Sequence, residues 1–564
     1  MRIRDQVAAP VAIAAVSLFI VVFDNDPFWK SVLRATMLDD HQGAILLAMF
    51  TIMFCTLNIL LSLAVGTRVL KTAAIFLLLV SATIGFFMSE YGIVVDVSMI
   101  RNVVETEVRE ASPLVTSSFF YHLLAFGVAP ALVLAITPLG NVRWKGRLAT
   151  GAALIAANAL VLAGTLYANY GAVSFFAHQH HAARMLMNPG YPLYSYARFL
   201  ARADDGAPDR AVRIALAAER TTTLARHDKP VLTVFVLGET ARSDRFSFNG
   251  YERDTNRYTR ARGVLNFPHV TSCGTSTADS VPCIFSGLGR AAFSHAAAAA
   301  HESLFLTLER LGVDVYWKDN STGCKAVCDP EHFEQLATRT DAGHCDSTGC
   351  FDEILLEDIE TLVADRTRDH FIVLHQRGSH GPAYHTDAPA WSKVFLPECD
   401  LPNLRNCSAE LINNAYDNTI VYTDFFVASV IDFLQSQADA FDVAMLYVSD
   451  HGESLGENGL YLHGFPYAFA PQEQVRVPML LWASPGFYAR AGVERSCLEK
   501  VANRDYSHDS LFHTLLAIYD VESPAYRREL DLLADCKHGP SMLARVALRS
   551  RPRETVEAKI VGTR

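Results

Sequence analysis

The stretch PVLTVFVLGET, residues 230–240, is an unbroken run of aliphatic and aromatic side chains with one Thr, and it stops at Gly238, Glu239 and Thr240. Continuous rather than alternating apolarity marks a strand covered on both faces, the usual condition of strands in a parallel sheet. Four more runs share the pattern: VDVYW (313–317), HFIVLHQ (370–376), VAMLYVSD (443–450) and VPMLLWA (477–483). The intervals hold helical segments such as LFLTLERLG (304–312) and NNAYDNTIVYTDFFVASVIDFLQS (413–436), which give room for crossover connections. An α/β domain with a mostly parallel sheet is therefore expected over residues 228–540.

Ligands of such sheets gather at the carboxyl ends of the strands. The first strand delivers Glu239 there, the second leads into KDNSTGCK (318–325), the third into RGSHGP (377–382), and the fourth into Asp450, His451, Gly452 and Glu453. Each loop alone is unremarkable; their convergence on one edge carries the weight. Glu239, Asp450 and His451 offer the oxygen and imidazole ligands that suit Zn²⁺ or a similar divalent ion, and three ligands leave a fourth position open. A hydroxyl in that position becomes a nucleophile. The loop VTSCGTSTADSVPC (270–283) is the obvious supplier, and the helix-like ADSVPCIFSGL (278–288) that follows would draw a phosphate toward its N-terminus. Residue chemistry leaves Thr275, Ser276 and Thr277 as equal candidates.

The remainder of the chain is of another kind. Half of the 564 residues are hydrophobic, and the surplus lies before residue 172. Five stretches there, near 7–23, 43–65, 70–93, 117–137 and 148–170, are long enough to cross a hydrocarbon core of about 30 Å. VAAPVAIAAVSLFIVVF (7–23) lacks a small-residue cleavage pattern and reads as a retained helix. Arg2 and Arg4, Arg68 and Lys71, and Arg143, Lys145 and Arg147 all fall on one side of this array, which places the N-terminus in the cytoplasm and everything after the fifth span outside it. Residues 1–172 are thus expected to form a five-helix transmembrane domain. With a net charge of −11, no nucleic-acid partner is expected.

Cysteine usage agrees with export. Cys55 lies in the second span, and the other ten cysteines all follow residue 272. Eight fall into close pairs, Cys273 with Cys283, Cys324 with Cys328, Cys345 with Cys350 and Cys399 with Cys407, which leaves Cys497 with Cys536. CKAVC (324–328) and CDSTGC (345–350) could be imagined as a zinc cluster, but their spacings differ and no C-x-x-C knuckle is present. Residues 173–227, with FFAHQHHAARMLMNPGYPLYSYARFLARA (175–203), read as amphipathic bridging helices at the membrane surface. His178, His180 and His181 fit an interfacial surface better than a metal site. ARVALRSRPRETVEAKIVGTR (544–564) lies in a basic tail, residues 541–564, to which no chemistry is assigned.

Three blocks, VLGETARSDRFSFNGYERDTN (236–256), SCGTSTADSVPCIFSG (272–287) and SDHGESLGENGLYLHG (449–464), resemble the signatures of the membrane phosphoethanolamine transferases. That family includes the lipid A modifying and mobile colistin-resistance enzymes and belongs to the alkaline phosphatase and sulfatase superfamily. The resemblance spans the whole chain and implies zinc ligands at Glu239, Asp450 and His451 and a nucleophile at Thr277. It also implies a phosphate-contacting Lys325, with His380 and His463 near the substrate as general acid or base or as holders of a second zinc; the sequence does not separate these roles. Ser321 stands where the family has a second Asn, so only Asn320 carries over there; Asn102, Thr106 and Glu110, spaced along one helix face, match the donor head-group residues.

The implied reaction moves phosphoethanolamine from phosphatidylethanolamine to a lipid A phosphate by way of Thr277, with one tightly bound Zn²⁺, in the bacterial inner membrane, on a monomer, and it confers polymyxin resistance. Envelope glycans are alternative acceptors, and a glycerol-phosphate transferase is an alternative activity. A sulfatase is disfavoured because CGTSTADSVPC (273–283) lacks the C-x-P-x-R arrangement.

Overall fold

The computed structural model describes residues 8–37, 42–64, 66–105, 111–140, 144–204, 217–220, 228–340, 343–346, 348–401 and 403–537. Thr106, Glu110, Arg2, Arg4, Arg143 and the tail from residue 541 lie outside the described residues.

The N-terminal part is helical: α1 (Ala9–Phe23), α2 (Asp26–Ala35), α3 (Gln42–Ser62), α4 (Thr67–Tyr91), α5 (Val97–Glu105), α6 (Ser117–Ile136), α7 (Trp144–Ala168), α8 (Tyr170–Gln179) and α9 (Gly190–Asp204). Four of them, α3, α4, α6 and α7, are long and apolar enough to cross a membrane. The first expected span differs from its expectation. Helix α1 has only 15 residues, and α2 leaves it at 62°, so the count reaches five only if the bent pair is one span. The break falls at Asp24-Asn25-Asp26-Pro27, where polar side chains and a residue without an amide hydrogen interrupt the ladder. Asn188, in the turn before α9, donates Nδ2 to the carbonyls of Asp24 (2.9 Å) and Ser81 (2.7 Å), tying the bridging segment to α1 and α4.

The C-terminal part is built on an eight-stranded sheet: β1 (Val231–Gly238), β2 (Leu265–Thr271), β3 (Asp314–Asp319), β4 (Phe333–Gln335), β5 (His370–His375), β6 (Asp442–Ser449), β7 (Arg476–Ala483) and β8 (Tyr506–Ser507), in the order β8-β2-β7-β6-β1-β5-β3-β4. All but β7 run the same way. VPMLLWA was expected as a parallel strand, and its direction is corrected here. Unbroken apolarity reports that both faces are covered, and says nothing of direction. The chain leaves β6 at Ser449, stays at the same sheet edge through residues 450–475, and has to run back along β6. Strand β2, LNFPHVT, was not expected at all: it carries polar residues and Pro268, with a register irregularity opposite, at Val477/Met479.

Side chains of β1 alternate between two cores. Val231, Phe235 and Leu237 pack with Phe285 and Phe512, from α10 (Thr277–Ser286) and α12 (Asp509–Ile518). Leu232, Val234 and Val236 pack with Tyr416, Ile420 and Phe426 of α11 (Ala409–Gln437). This two-sided cover is what made the opening stretch continuously apolar.

All five expected disulfides are present: Cys273–Cys283, Cys324–Cys328, Cys345–Cys350, Cys399–Cys407 and Cys497–Cys536, with Cys55 free and buried. Cys345 and Cys350 face each other across a two-stranded antiparallel ribbon, so their bridge closes a hairpin. Cys399 and Cys407 bracket the loop that leads into α11, where the Cys399 amide also donates to the Leu411 carbonyl at 2.9 Å. CKAVC and CDSTGC thus hold separate disulfides, and their four sulfurs are not free to ligate zinc.

The two parts meet at α4 and α5. Arg405 donates to the Glu90 carbonyl at the end of α4, and Phe86, Tyr91 and Leu462 form a small shared core. Gly92 caps α4 with φ 72°, and a Cβ there would lie 2.8 Å from Leu460. Ser98 of α5 donates to Asp279 of α10, two residues past Thr277.

Candidate active site

Strand register assembles the site. Gly238 pairs with Ser449, and Leu237 and Asp319 both pair with His375, so Glu239, Asp450, His375 and Asp319 stand side by side at the carboxyl edge. Thr277 enters from the first turn of α10, whose N-terminus faces this edge. All five side chains are buried.

Glu239, Asp450 and His451 offer ligand atoms that lie within 4.8 Å of one another. His451 Nδ1 donates to the Gly452 carbonyl at 2.9 Å, which leaves Nε2 as a lone pair 3.4 Å from Glu239 Oε1 and 3.2 Å from Asp450 Oδ2. Asp450 Oδ1 accepts from the backbone amides of Thr240 (3.1 Å) and His451 (2.7 Å), which turns Oδ2 into the cluster. Glu239 Oε1 and Asp450 Oδ2 are buried with no hydrogen-bond partner. Orphaned carboxylate oxygens beside a neutral imidazole nitrogen fit a divalent cation. The other grouping of candidate ligands among the described residues, Cys273, Cys283 and Asp509, has its sulfurs in a disulfide.

Electrostatics lead to the same reading. Burial and the adjacent charge of Glu239 push Asp450 well above the carboxylate range, a penalty that a cation removes. Burial opposes the charge on Glu239, but the imidazoles of His375, His451 and His380 outweigh it and hold this carboxyl far down. Burial and the neighbouring His463 lower His451 to about 3, so its imidazole is neutral, as a metal ligand would need.

Only one of the three candidate hydroxyls faces the cluster. Thr277 Oγ1 lies 3.0 Å from Glu239 Oε2 and 3.4 Å from His451 Nε2. Thr275 Oγ1 instead donates to the Phe465 carbonyl at 2.7 Å, and Ser276 Oγ is buried without a partner.

His463 and His380 meet edge to face with ring centroids 5.1 Å apart, and His463 lies 4.5 Å from His451. Glu453 Oε2 holds His463 Nδ1 at 3.0 Å; burial works against the charge on His463, but Glu453 raises it to about 9. Lys325 is 9% exposed, with Nζ 4.0 Å from Glu105 Oε2. Asn102 lines the same cavity as Lys325 and His380. Asn320 is also buried at this edge, but its amide is engaged by Asp352 Oδ1 (2.8 Å) and the Cys350 carbonyl (3.0 Å); Ser321 Oγ is the group that reaches Glu239, at 3.4 Å.

Sequence reasoning missed the pair His375 and Asp319. His375 Nδ1 contacts Asp319 Oδ2 at 2.7 Å, and its Nε2 lies 3.8 Å from Glu239 Oε2. Burial opposes its charge, yet Asp319 and Glu239 raise His375 to about 10. Both residues sit inside strands, and only the β5–β3 register reveals the pair. Glu453 was noted only as part of a loop; its role in holding His463 needed the fold.

Gly378 faces this edge with φ 58°, and a Cβ there would meet the Glu239 carbonyl at 2.6 Å. Gly378→Ala is expected to cost about 1–2 kcal/mol for the left-handed backbone alone, with the clash added. A lower thermal midpoint together with reduced bound metal checks it, because the clash displaces a ligand residue.

A cavity of about 510 Å³ opens from Thr277, Lys325, His380 and His463 and runs along an apolar wall that includes Phe87, Ile93 and Leu114 of the membrane part. The site can therefore hold a phosphorylated head group at its metal end and hydrocarbon along its length.

The chain is similar to several known proteins. A sulfatase family model matches residues 232–521, and a model of the phosphoethanolamine transferases EptA/EptB matches residues 53–203. Phosphoethanolamine transferase EptA of Escherichia coli K12 is 36% identical over 528 residues, covering 92% of this chain and 96% of that protein. Phosphatidylethanolamine transferase Mcr-1 of Escherichia coli is also 36% identical, over 529 residues, with the same coverage. The solved integral membrane lipooligosaccharide phosphoethanolamine transferase A of Neisseria meningitidis superposes with a TM-score of 0.90 at 31% identity, covering 95% of this chain and 100% of that one.

Proposed function

This chain belongs to the phosphoethanolamine transferase family, and on that premise we propose that it moves phosphoethanolamine from phosphatidylethanolamine to a phosphate of lipid A through a covalent ester on Thr277. The observation that carries this reading is the Thr277 hydroxyl, Oγ1, standing 3.0 Å from Glu239 and lining a cavity with an apolar wall. Glu239, Asp450 and His451 would hold zinc, which when bound supplies Lewis acidity, lowering the pKa of a neighbouring oxygen and offsetting phosphoryl charge.

The chain's own residues account for the remaining chemistry. Thr277 Oγ1 passes its proton to Glu239 Oε2, 3.0 Å away, and attacks phosphorus; a Thr277 oxygen–phosphorus bond forms and the bond to the glycerol oxygen breaks. The N-terminus of α10 and Lys325 offset charge on the phosphoryl oxygens. His463, anchored through Nδ1 by Glu453, donates its Nε2 proton to the departing diacylglycerol oxygen. An oxygen of the acceptor phosphate then attacks the same phosphorus from the vacated side, its proton passing to His463, and Thr277 leaves with the proton held on Glu239. Asn102, Thr106 and Glu110 are proposed to hold the ethanolamine head group, the last two from beyond the described residues.

The domain boundaries at 172, 227 and 540, and a catalytic domain on the outer side of a bacterial inner membrane, belong to the same reading. It is supported by the one-sided basic loops and the five disulfides. Added ethanolamine ammonium offsets lipid A phosphate charge and weakens attraction for cationic polymyxins.

Mass spectrometry of lipid A from cells with and without this chain tests the proposal. A species heavier by one phosphoethanolamine group is expected only with the chain. Unmodified lipid A beside modified core sugars or glucans would move the acceptor to those molecules.

A further inference from the structure

Beside the cavity already described lies a second, of about 450 Å³, bounded by α5, the start of α10, the helix His295–Ala300 and the Thr322–Val327 turn. Lys325, Thr322 and Glu105 line both, so the two spaces meet at the lysine. Their walls differ in kind. The first is apolar along its length; the second presents Arg101, Lys325, His295 and His301 with one carboxylate, Glu105. Arg101 Nη1 is 3.5 Å and Lys325 Nζ 4.0 Å from that carboxylate, so among the described lining residues two cations share one carboxylate. His295 is held by Asp279 at 2.7 Å, and His301 Nδ1 by the Ala297 carbonyl at 2.8 Å.

The lysine between the two spaces is rigidly mounted. Lys325 (φ 49°) and Ala326 (φ 64°) both adopt left-handed backbone without being glycine. The Cys324–Cys328 disulfide closes this turn, Val327 N donates to the Cys324 carbonyl at 3.0 Å, and Ser303 donates to the Val327 carbonyl. A costly conformation held by three ties fixes where the lysine's Cα and Cβ stand, and Glu105 lies 4.0 Å from its ammonium.

We propose that this second cleft is the binding site for the acceptor's phosphate monoester, while the apolar cavity takes the glycerol and acyl side of the donor; the proposal rests on the transfer reaction proposed above. A phosphate monoester carries a charge of about −1.5 to −2 at neutral pH, whereas the donor's phosphodiester charge is balanced by its own ammonium. The cationic cleft therefore favours the acceptor over the donor. Its inner end, at Lys325, opens into the apolar cavity, so an acceptor oxygen can reach past the lysine to the side of the phosphorus that diacylglycerol has vacated.

The full-length chain in detergent allows two separate measurements: consumption of fluorescent phosphatidylethanolamine without acceptor, and transfer to purified lipid A. Arg101→Gln is expected to raise the acceptor KM about tenfold, the loss of one charge-assisted contact, with donor consumption unchanged. Ala299 is an exposed residue of the cleft, so charge can be added there without removing a packing contact. Ala299→Glu is expected to raise the acceptor KM and Ala299→Lys to lower it, and inorganic phosphate is expected to compete with acceptor and not with donor. An equal fall in donor consumption in Arg101→Gln and Ala299→Glu would overturn the assignment and put the donor head group in the cleft. An acceptor KM unmoved by all three variants would also overturn it, even if free phosphate inhibits. Wild-type chain that consumes donor but never modifies lipid A would instead defeat the function on which the proposal rests.

Discussion

Thr277→Ala is expected to abolish phosphoethanolamine transfer while leaving the chain folded. The hydroxyl contributes one hydrogen bond to Glu239 at 3.0 Å, and after its removal that oxygen still has Ser321 Oγ at 3.4 Å and His375 Nε2 at 3.8 Å. The stability cost is about 1 kcal/mol, a shift of a few degrees in thermal midpoint. Activity has no such reserve. Thr275 Oγ1 is turned toward the Phe465 carbonyl, and Ser276 precedes the helix without reaching the cluster, so neither of the adjacent hydroxyls of the loop replaces the nucleophile. The expected loss is about 10⁴-fold or more in lipid A modification followed by mass spectrometry. Thr277→Ser should retain a measurable rate. Transfer at the wild-type rate by the Ala variant would remove the covalent mechanism altogether.

Glu239→Gln is expected to lose both metal and activity. The substitution keeps the shape of the side chain, but it removes the charge that His375 and His451 surround and places an amide where a carboxylate oxygen is wanted. Metal affinity should fall by at least about 100-fold, so that purified wild-type chain carries about one zinc and the variant almost none by elemental analysis. Chelation should inactivate the wild type, added zinc should restore it, and the variant should respond to neither. A variant that keeps full zinc and full turnover would mean that the buried carboxylates serve some other end.

Much of this was legible in the chain because it depends on neighbours in sequence. Spans of apolar residues report themselves one helix at a time, and four of the five disulfides close loops with separations of 4 to 10 residues. The polar residues just past the strands, Glu239, Asp450 and His451, could be read because strands of this kind end at a common edge. The motif resemblance then singled out Thr277. Residue chemistry alone could not, since Thr275, Ser276 and Thr277 differ by one position each and their directions depend on where α10 begins.

What the sequence by itself determined, then, is the helical membrane part, the two-faced α/β sheet, the cysteine pairing and the set of residues from which a metal site could be drawn. The tertiary structure alone decided that β7 runs back against its neighbours, that Asp24 to Pro27 divide the first span, and that His375 joins Asp319 to Glu239 across strands 56 and 136 residues apart in the chain, and it turned the hydroxyl that the motif had singled out toward the carboxylates. It also decided that Lys325 stands between an apolar cavity and a cationic one. The reason is physical: hydropathy, cysteine spacing and strand ends are local properties, whereas strand order, register and the docking of α5 on α10 are non-local pairings that come into being only when the sheet and its helices have packed.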